Sequence, residues 1–419
     1  EIYTLSLHDA LPISTSLVLD LLREHTTLFG CFFSVIDIVV WFDFIEKFLI
    51  PEWSTNDEQR WQFLYLEQLS KCSEMEQTLI AKKWCLALHS DVIDQTETVR
   101  RASIALRGMV QLETVELRDV FISIIENPDK EFYSLLATPL CKWINATDSN
   151  EDILWRYITR DVNDADLDKL EETLHCEGHY LENSNFLERR MIASENFLSL
   201  VIDSIQTWSR KLTVTRDFSA VDSHFLQKTS YQRKRSKYSL HHVGFLNVIF
   251  LALEKSCIDH AMRDSDWWMS HAETLANSEE AALRYIALLC LTEVPNNNIA
   301  LVRHILHDIK WNDVHPFKYE VARLLGTSAP YLCNEDLEAL QRTICRHYED
   351  VAEEDIGWFL KIKRDILLEI PAPYRTVESQ KIIDTANRFF GNSDRKPPVT
   401  SWAGIIFSPV TCDQFLSRG

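Results

Sequence analysis

The chain has 419 residues, with 43 Lys+Arg against 63 Asp+Glu, a formal net charge of −20. Only 9 residues are glycine and 12 proline, against about 7% glycine on average, which excludes folds that spend glycine on phosphate loops and tight turns. With 46% hydrophobic and 11% aromatic residues there is ample material for a core, so a largely helical, ordered protein is what the composition predicts.

Glu1–Ile13 has no initiator Met and looks like a translated sequencing-library adapter. It is set aside, and the repeat array is expected over 14–392 with 393–419 as a truncated C-terminal tail. The apolar stretch Leu28–Ile50 carries Asp37, Asp43 and Glu46, too many charges for a spanning helix of about 20 apolar residues, and reads as a buried helix. Ten cysteines are scattered without paired spacing, mostly inside apolar runs such as Ala287–Leu291. Free buried thiols and a cytoplasmic location are the expectation.

Helical periodicity then dominates. Helices are predicted over Asn56–Cys72, Glu74–His89, Glu113–Asn127, Ser149–Arg160, Ala165–Cys176, Glu182–Leu212, His241–Met262 and Glu335–Tyr348. Strand-like alternation is brief, at Lys211–Thr215 and Ala403–Phe407.

A repeat runs through this pattern. Asp94–Leu106 and Asn277–Leu289 each open on a capping-box pair, Asp94 with Glu97 and Asn277 with Glu280. Val99 to Phe132 is a spacing of 33, and Leu283 to Phe317 a spacing of 34. Asn127 precedes Pro128, which suits a first helical position. Val99-Arg100 and Leu283-Arg284, followed by small residues at Ala102, Ala105, Ala287 and Ala322, resemble HEAT-type repeats. One helix pair cannot bury its apolar face alone, and stacking pairs makes a continuous core. The fold class expected is all-α, an irregular α-solenoid of antiparallel helix pairs, HEAT/armadillo-like.

Several short constellations invite chemistry. His175-Cys176-Glu177-Gly178-His179 holds three soft ligands, but a structural zinc site needs four, usually in two pairs. A helix-end turn stopped by Gly178 is the simpler reading. His304, His307 and Asp308 line one turn of a polar helix face. Arg342 and His347 have the Arg-x4-His spacing of some helical ribonucleases, with Thr343 a poor match after the Arg. The pair Trp267-Trp268 falls at apolar helical positions. Phosphate loops, dinucleotide fingerprints and serine or zinc hydrolase motifs are missing from the sequence, so neither cofactor nor metal is expected. One basic run stands out from the acidic background: Lys228, Arg233, Lys234, Arg235 and Lys237, with Tyr231 and Tyr238 between and around them. It is either a solvated loop or a contact patch for an acidic partner.

Near the end, Pro371 to Arg375, Val377–Gln380, a helix to Phe389-Phe390-Gly391, Gly404 to Ser408-Pro409 and Asp413–Leu416 follow one another. This order resembles the C-terminal helical region of large bacterial STAND NTPases of the Avs-like antiviral class. The resemblance implies a non-enzymatic sensor or scaffold that binds a foreign protein and self-associates through an NTPase module encoded upstream. No catalytic residue is carried over. The alternatives are a generic HEAT-repeat scaffold and a helical RNA-processing protein using Arg342, His347 and the basic run. The net charge opposes nucleic-acid binding, and no membrane contact is expected.

Overall fold

The computed structural model describes residues 150–163, 165–175, 184–215, 225–231, 244–308, 317–346 and 356–392, with isolated residues and short stretches between 69 and 144. Every regular element among the described residues is helical, so the protein is all-α. The chain divides into two compact units: Glu1–Tyr157 with Glu177–Tyr180, and Ile158–Cys176 with Leu181–Gly419.

In the first unit, α1 (Glu151–Ile158) buries Ile153, Leu154 and Trp155. Phe121 stacks on Trp143, with ring centroids 5.0 Å apart. Arg118 donates to Asn150 Oδ1 at 2.5 Å and pairs with Asp152 at 2.9 Å.

The second unit begins with a 3-10 turn at Leu167–Lys169 and the short α2 (Leu170–Thr173), where the periodicity predicted one helix over Ala165–Cys176. The helix expected over Glu182–Leu212 is two, α3 (Ser184–Ala193) and α4 (Glu195–Thr215). The break falls at Ser194, whose hydroxyl accepts the Phe197 amide at 3.2 Å. A serine offers this local hydrogen bond in competition with the helix ladder. The strand-like Lys211–Thr215 is the last turn of α4. Trp208 and Leu212 are buried one turn apart there, so tertiary packing outweighs the β-branched residues.

A 3-10 turn at Leu226–Lys228 precedes α5 (Phe245–Met262), which starts at Gly244 rather than His241. A Cβ at Gly244 would collide with the Glu171 carboxylate. The end of α5 is closed by a Schellman motif: the Asp264 amide donates to Ala261 O and the Ser265 amide to His260 O, each at 3.1 Å. Asp264 takes the left-handed position at φ 53° that usually belongs to glycine.

Ser265 then caps α6 (Asp266–Ala276), accepting from the Trp268 amide. The expected Asn277–Glu280 capping box is not formed. Asn277 closes α6, and Glu280 itself caps α7 (Ala281–Glu293) by accepting the Ala282 amide at 3.0 Å. The helix therefore starts one turn later than the Asn277 signal suggests. There follow α8 (Ile299–Asp308), α9 (Lys318–Ser328), α10 (Asn334–Arg346), α11 (Ile356–Glu369) and α12 (Val377–Phe390).

Alternate helices pack side by side. One row runs α5, α7, α9, α11, and a second runs α8, α10, α12. Rungs α5–α6, α6–α7, α8–α9, α10–α11 and α11–α12 join neighbours in sequence, while α3 packs on α5. α7 packs on α9, and each carries a buried alanine, Ala287 and Ala322. Along α7 every residue except Arg284, Leu289 and Glu293 is buried, the pattern of a helix covered on nearly all sides.

The far end is held by polar contacts to backbone. Arg375 donates to the carbonyls of Ile370 at 2.7 Å and Leu368 at 3.1 Å, satisfying the end of α11. Gln341 is fully buried and bridges the Tyr374 carbonyl and the Thr376 amide, each at 2.9 Å. Thr376 caps α12 through the Ser379 amide.

Candidate functional site

Of the five basic residues singled out above, Lys228 lies in the second unit in a defined setting. Arg233, Lys234, Arg235 and Lys237 lie outside the described residues. Lys228 is half-buried and its ammonium pairs with Glu171. The other Glu171 oxygen accepts the Leu246 amide at 3.2 Å, in the first turn of α5. A carboxylate there also complements the helix dipole. Lys228 is thus an anchor within the unit.

The anchor belongs to a short segment, Phe225–Tyr231, laid on α5 and α7. Phe225 packs on Phe250 with centroids 5.7 Å apart. Tyr231 meets Tyr285 edge-on at 5.6 Å and Phe317 at 6.3 Å. Two contacts are made to the segment's backbone. Asn247 Nδ2 donates to the Lys228 carbonyl at 2.9 Å, and the Ser230 amide donates to Glu254 Oε1 at 2.6 Å. The Ser230 and Tyr285 hydroxyls share a hydrogen bond of 2.9 Å. Glu254 is 4% exposed. Arg284 lies over the Phe317 ring at 5.8 Å. Burial pulls the Arg284 guanidinium below its ordinary pKa, and the nearby Glu280 carboxylate opposes that shift.

Sequence reasoning reached Lys228 and Tyr231 but missed Asn247, Glu254 and Tyr285. A signal was present for Glu254, the one carboxylate in the apolar run Phe245–Glu254. A charge amid such a run needs a partner.

The other constellations are dispersed. His175 Nε2 lies 2.9 Å from Asp161, while Cys176, Glu177, Gly178 and His179 are outside the described residues. His304 and His307 are exposed. His307 approaches Asp336 at 3.6 Å, and Arg303 pairs with Asp336 at 2.7 Å. Arg342 is exposed, and His347 is outside the described residues. Trp267 and Trp268 are buried. The Trp267 indole donates to Ser199 at 2.9 Å and its ring stacks on His271 at 4.7 Å. Among the described residues, His, Cys, Asp and Glu form no group able to hold a metal ion, and no helix is long and apolar enough to cross a membrane.

Burial raises the thiol pKa of Cys141, Cys257 and Cys290, which suppresses their reactivity. Cys333 is exposed and its thiol donates to Asp336 at 2.9 Å. Comparison of the chain with protein-family models, with curated proteins and with solved structures finds no match.

Proposed function

We propose that the chain is a non-enzymatic helical-repeat scaffold that recognises protein, an irregular α-solenoid of the HEAT/armadillo kind, and that it serves as the sensor region of a larger STAND-type defence ATPase. The observation that carries the scaffold reading is the alternation of the helix contacts. α5, α7, α9 and α11 touch in one row, α8, α10 and α12 in another, with sequence neighbours as rungs. Quasi-repeated pairs of this kind give extended docking surfaces. The spacings of 33 and 34 residues and the buried Ala287 and Ala322 support it. A reducing, cytoplasmic setting suits the free buried thiols Cys257 and Cys290. The sensor assignment rests on the order of elements from Pro371 to Leu416.

Two experiments separate this from its rivals. The complete reading frame is expected to carry a Gly-x-x-x-x-Gly-Lys-Ser/Thr loop upstream, and its absence refutes the sensor assignment while leaving a generic scaffold. RNA incubated with the purified chain is expected to stay intact. Degradation that disappears in Arg342→Ala and His347→Ala would establish the ribonuclease reading instead.

A further inference from the structure

Arg284 on α7 carries a charge that the chain leaves unanswered. Its guanidinium carbon stands 5.8 Å from the centre of the Phe317 ring, and its Nε is buried with no acceptor. Among the described residues no carbonyl or carboxylate takes a hydrogen bond or a close ion pair from the rest of the group. The side chain is only half-buried, so part of it faces solvent. The carboxylate one turn earlier, Glu280, is 3% exposed and already committed: Oε1 accepts the Ala282 amide at 3.0 Å and Oε2 the Ser209 hydroxyl at 2.6 Å. A buried donor without a partner is costly, so a guanidinium kept in this state calls for an explanation. We infer that Arg284 is a docking point for a carboxylate of a protein partner, a Glu or Asp side chain set between apolar residues, with the Phe317 ring as its platform. This rests on the protein-recognition reading above and specifies the chemistry recognised.

A guanidinium resting on an aromatic ring uses its face and leaves its N–H edges for an acceptor. Phe317 is buried, with Tyr231 edge-on to it and Tyr285 nearly parallel, at centroid distances of 6.3 and 6.4 Å. The platform is therefore fixed before any partner arrives, which lowers the ordering cost of binding. Arginine beside aromatic rings is also the combination that dominates the energy of protein interfaces. Phe317 opens α9, whose first turn has no side-chain cap, so the positive end of that helix dipole lies beside the same ring. Burial disfavours the charged form of Arg284, and an anion paired with the fork would restore it. The edge of one guanidinium offers two parallel donors, the number a carboxylate takes. A phosphate dianion would be only half neutralised here, close to the Glu280 carboxylate and on a chain of net charge −20. A single carboxylate flanked by apolar side chains suffers least from that repulsion.

Two measurements on the full chain test this. Arg284→Met keeps the apolar stem and removes the charge. Because the guanidinium has no hydrogen-bond partner to lose, the thermal midpoint is expected to equal that of the wild type or exceed it by a few degrees, as for a residue kept for binding at the expense of stability. A lower midpoint would make Arg284 a structural member and overturn the proposal. Second, the peptide acetyl-Gly-Leu-Glu-Leu-Gly-amide, its glutamine twin and a phosphoserine version are titrated by calorimetry. The wild type is expected to bind the glutamate peptide about fivefold or more tighter than the glutamine twin. Arg284→Met should lose that preference, and Arg342→Met, changed at an exposed position of α10, should keep it. Equal binding of the two peptides, no binding, or a preference that survives in Arg284→Met overturns the site. Tighter binding of the phosphoserine peptide overturns the choice of carboxylate. The scaffold reading is judged separately, by the reading-frame and RNA experiments.

Discussion

Gly326 sits in α9 where the end of α11 passes close by. A Cβ there would lie 2.9 Å from the carbonyl carbon of Glu369, closer still to its oxygen, and 3.3 Å from its Cβ. Alanine in a helix interior is favoured over glycine by about 0.8–1.0 kcal/mol, so a surface Gly→Ala change would stabilise. Here the obstacle is backbone, and Arg375 holds the neighbouring carbonyls of Leu368 and Ile370, so α11 cannot easily yield. Overpacking of this kind costs about 1–3 kcal/mol, toward the upper end when main chain must move. Gly326→Ala is therefore expected to destabilise the protein by about 1–2 kcal/mol net. Urea denaturation followed by circular dichroism measures it. Thr327→Ala, on the exposed side of the same helix, is the control and is expected to stay within about 0.5 kcal/mol. A Gly326→Ala protein as stable as the wild type, or more so, refutes the close approach of α9 and α11.

Asp264→Gly should raise the thermal midpoint, by about 0.5–1 kcal/mol of stability, because Asp264 stands at φ 53° where an L-residue is strained and glycine is not. A lower midpoint would mean the Asp264 side chain contributes more than that strain. Gln341→Leu keeps the volume but strands the Tyr374 carbonyl and the Thr376 amide. Both bonds are only part-buried and Tyr374 is exposed, so water serves the freed groups in part. A loss of about 1–3 kcal/mol is expected in urea, and a loss below about 0.5 kcal/mol contradicts the bridge. The Cys333 thiol, donating to Asp336, holds that carboxyl below its ordinary pKa, with Arg303 adding to the effect. Its contribution is complete above the unfolded value and lost as pH falls through the lowered one. Asp336→Asn should therefore be less stable than wild type at neutral pH, the gap closing below about pH 4. A gap independent of pH argues against the charge.

How much of this was legible from residues depended on range. Scarce glycine and the 3.6 period gave the all-α class directly, because both act locally. The boundaries near Ser194 and Asn277 were lost because cap residues serve either side of a turn: Asn277 closes α6 while Glu280 opens α7. A serine inside a periodic stretch, like Ser194, does not announce whether it faces solvent or caps. The motif Pro371 to Arg375 was visible as a pattern, but its work of satisfying the end of α11 depends on two carbonyls that only three dimensions bring under one guanidinium. Lys228 drew notice as part of a charge run. Its partner Glu171 lies 57 residues earlier in the chain, beyond any local rule, and the same holds for Ser230 with Tyr285 across 55 residues.

The account stands on the helix rows behaving as an array in which each pair leans mainly on its neighbours. Ile383 of α12 is 2% exposed, and Ile383→Ala removes about 2–5 kcal/mol of packing at one end. Hydrogen exchange read helix by helix is expected to show protection falling in α10, α11 and α12 while α5 and α7 keep theirs. A uniform loss from α3 to α12 would show a single cooperative globule and contradict the array.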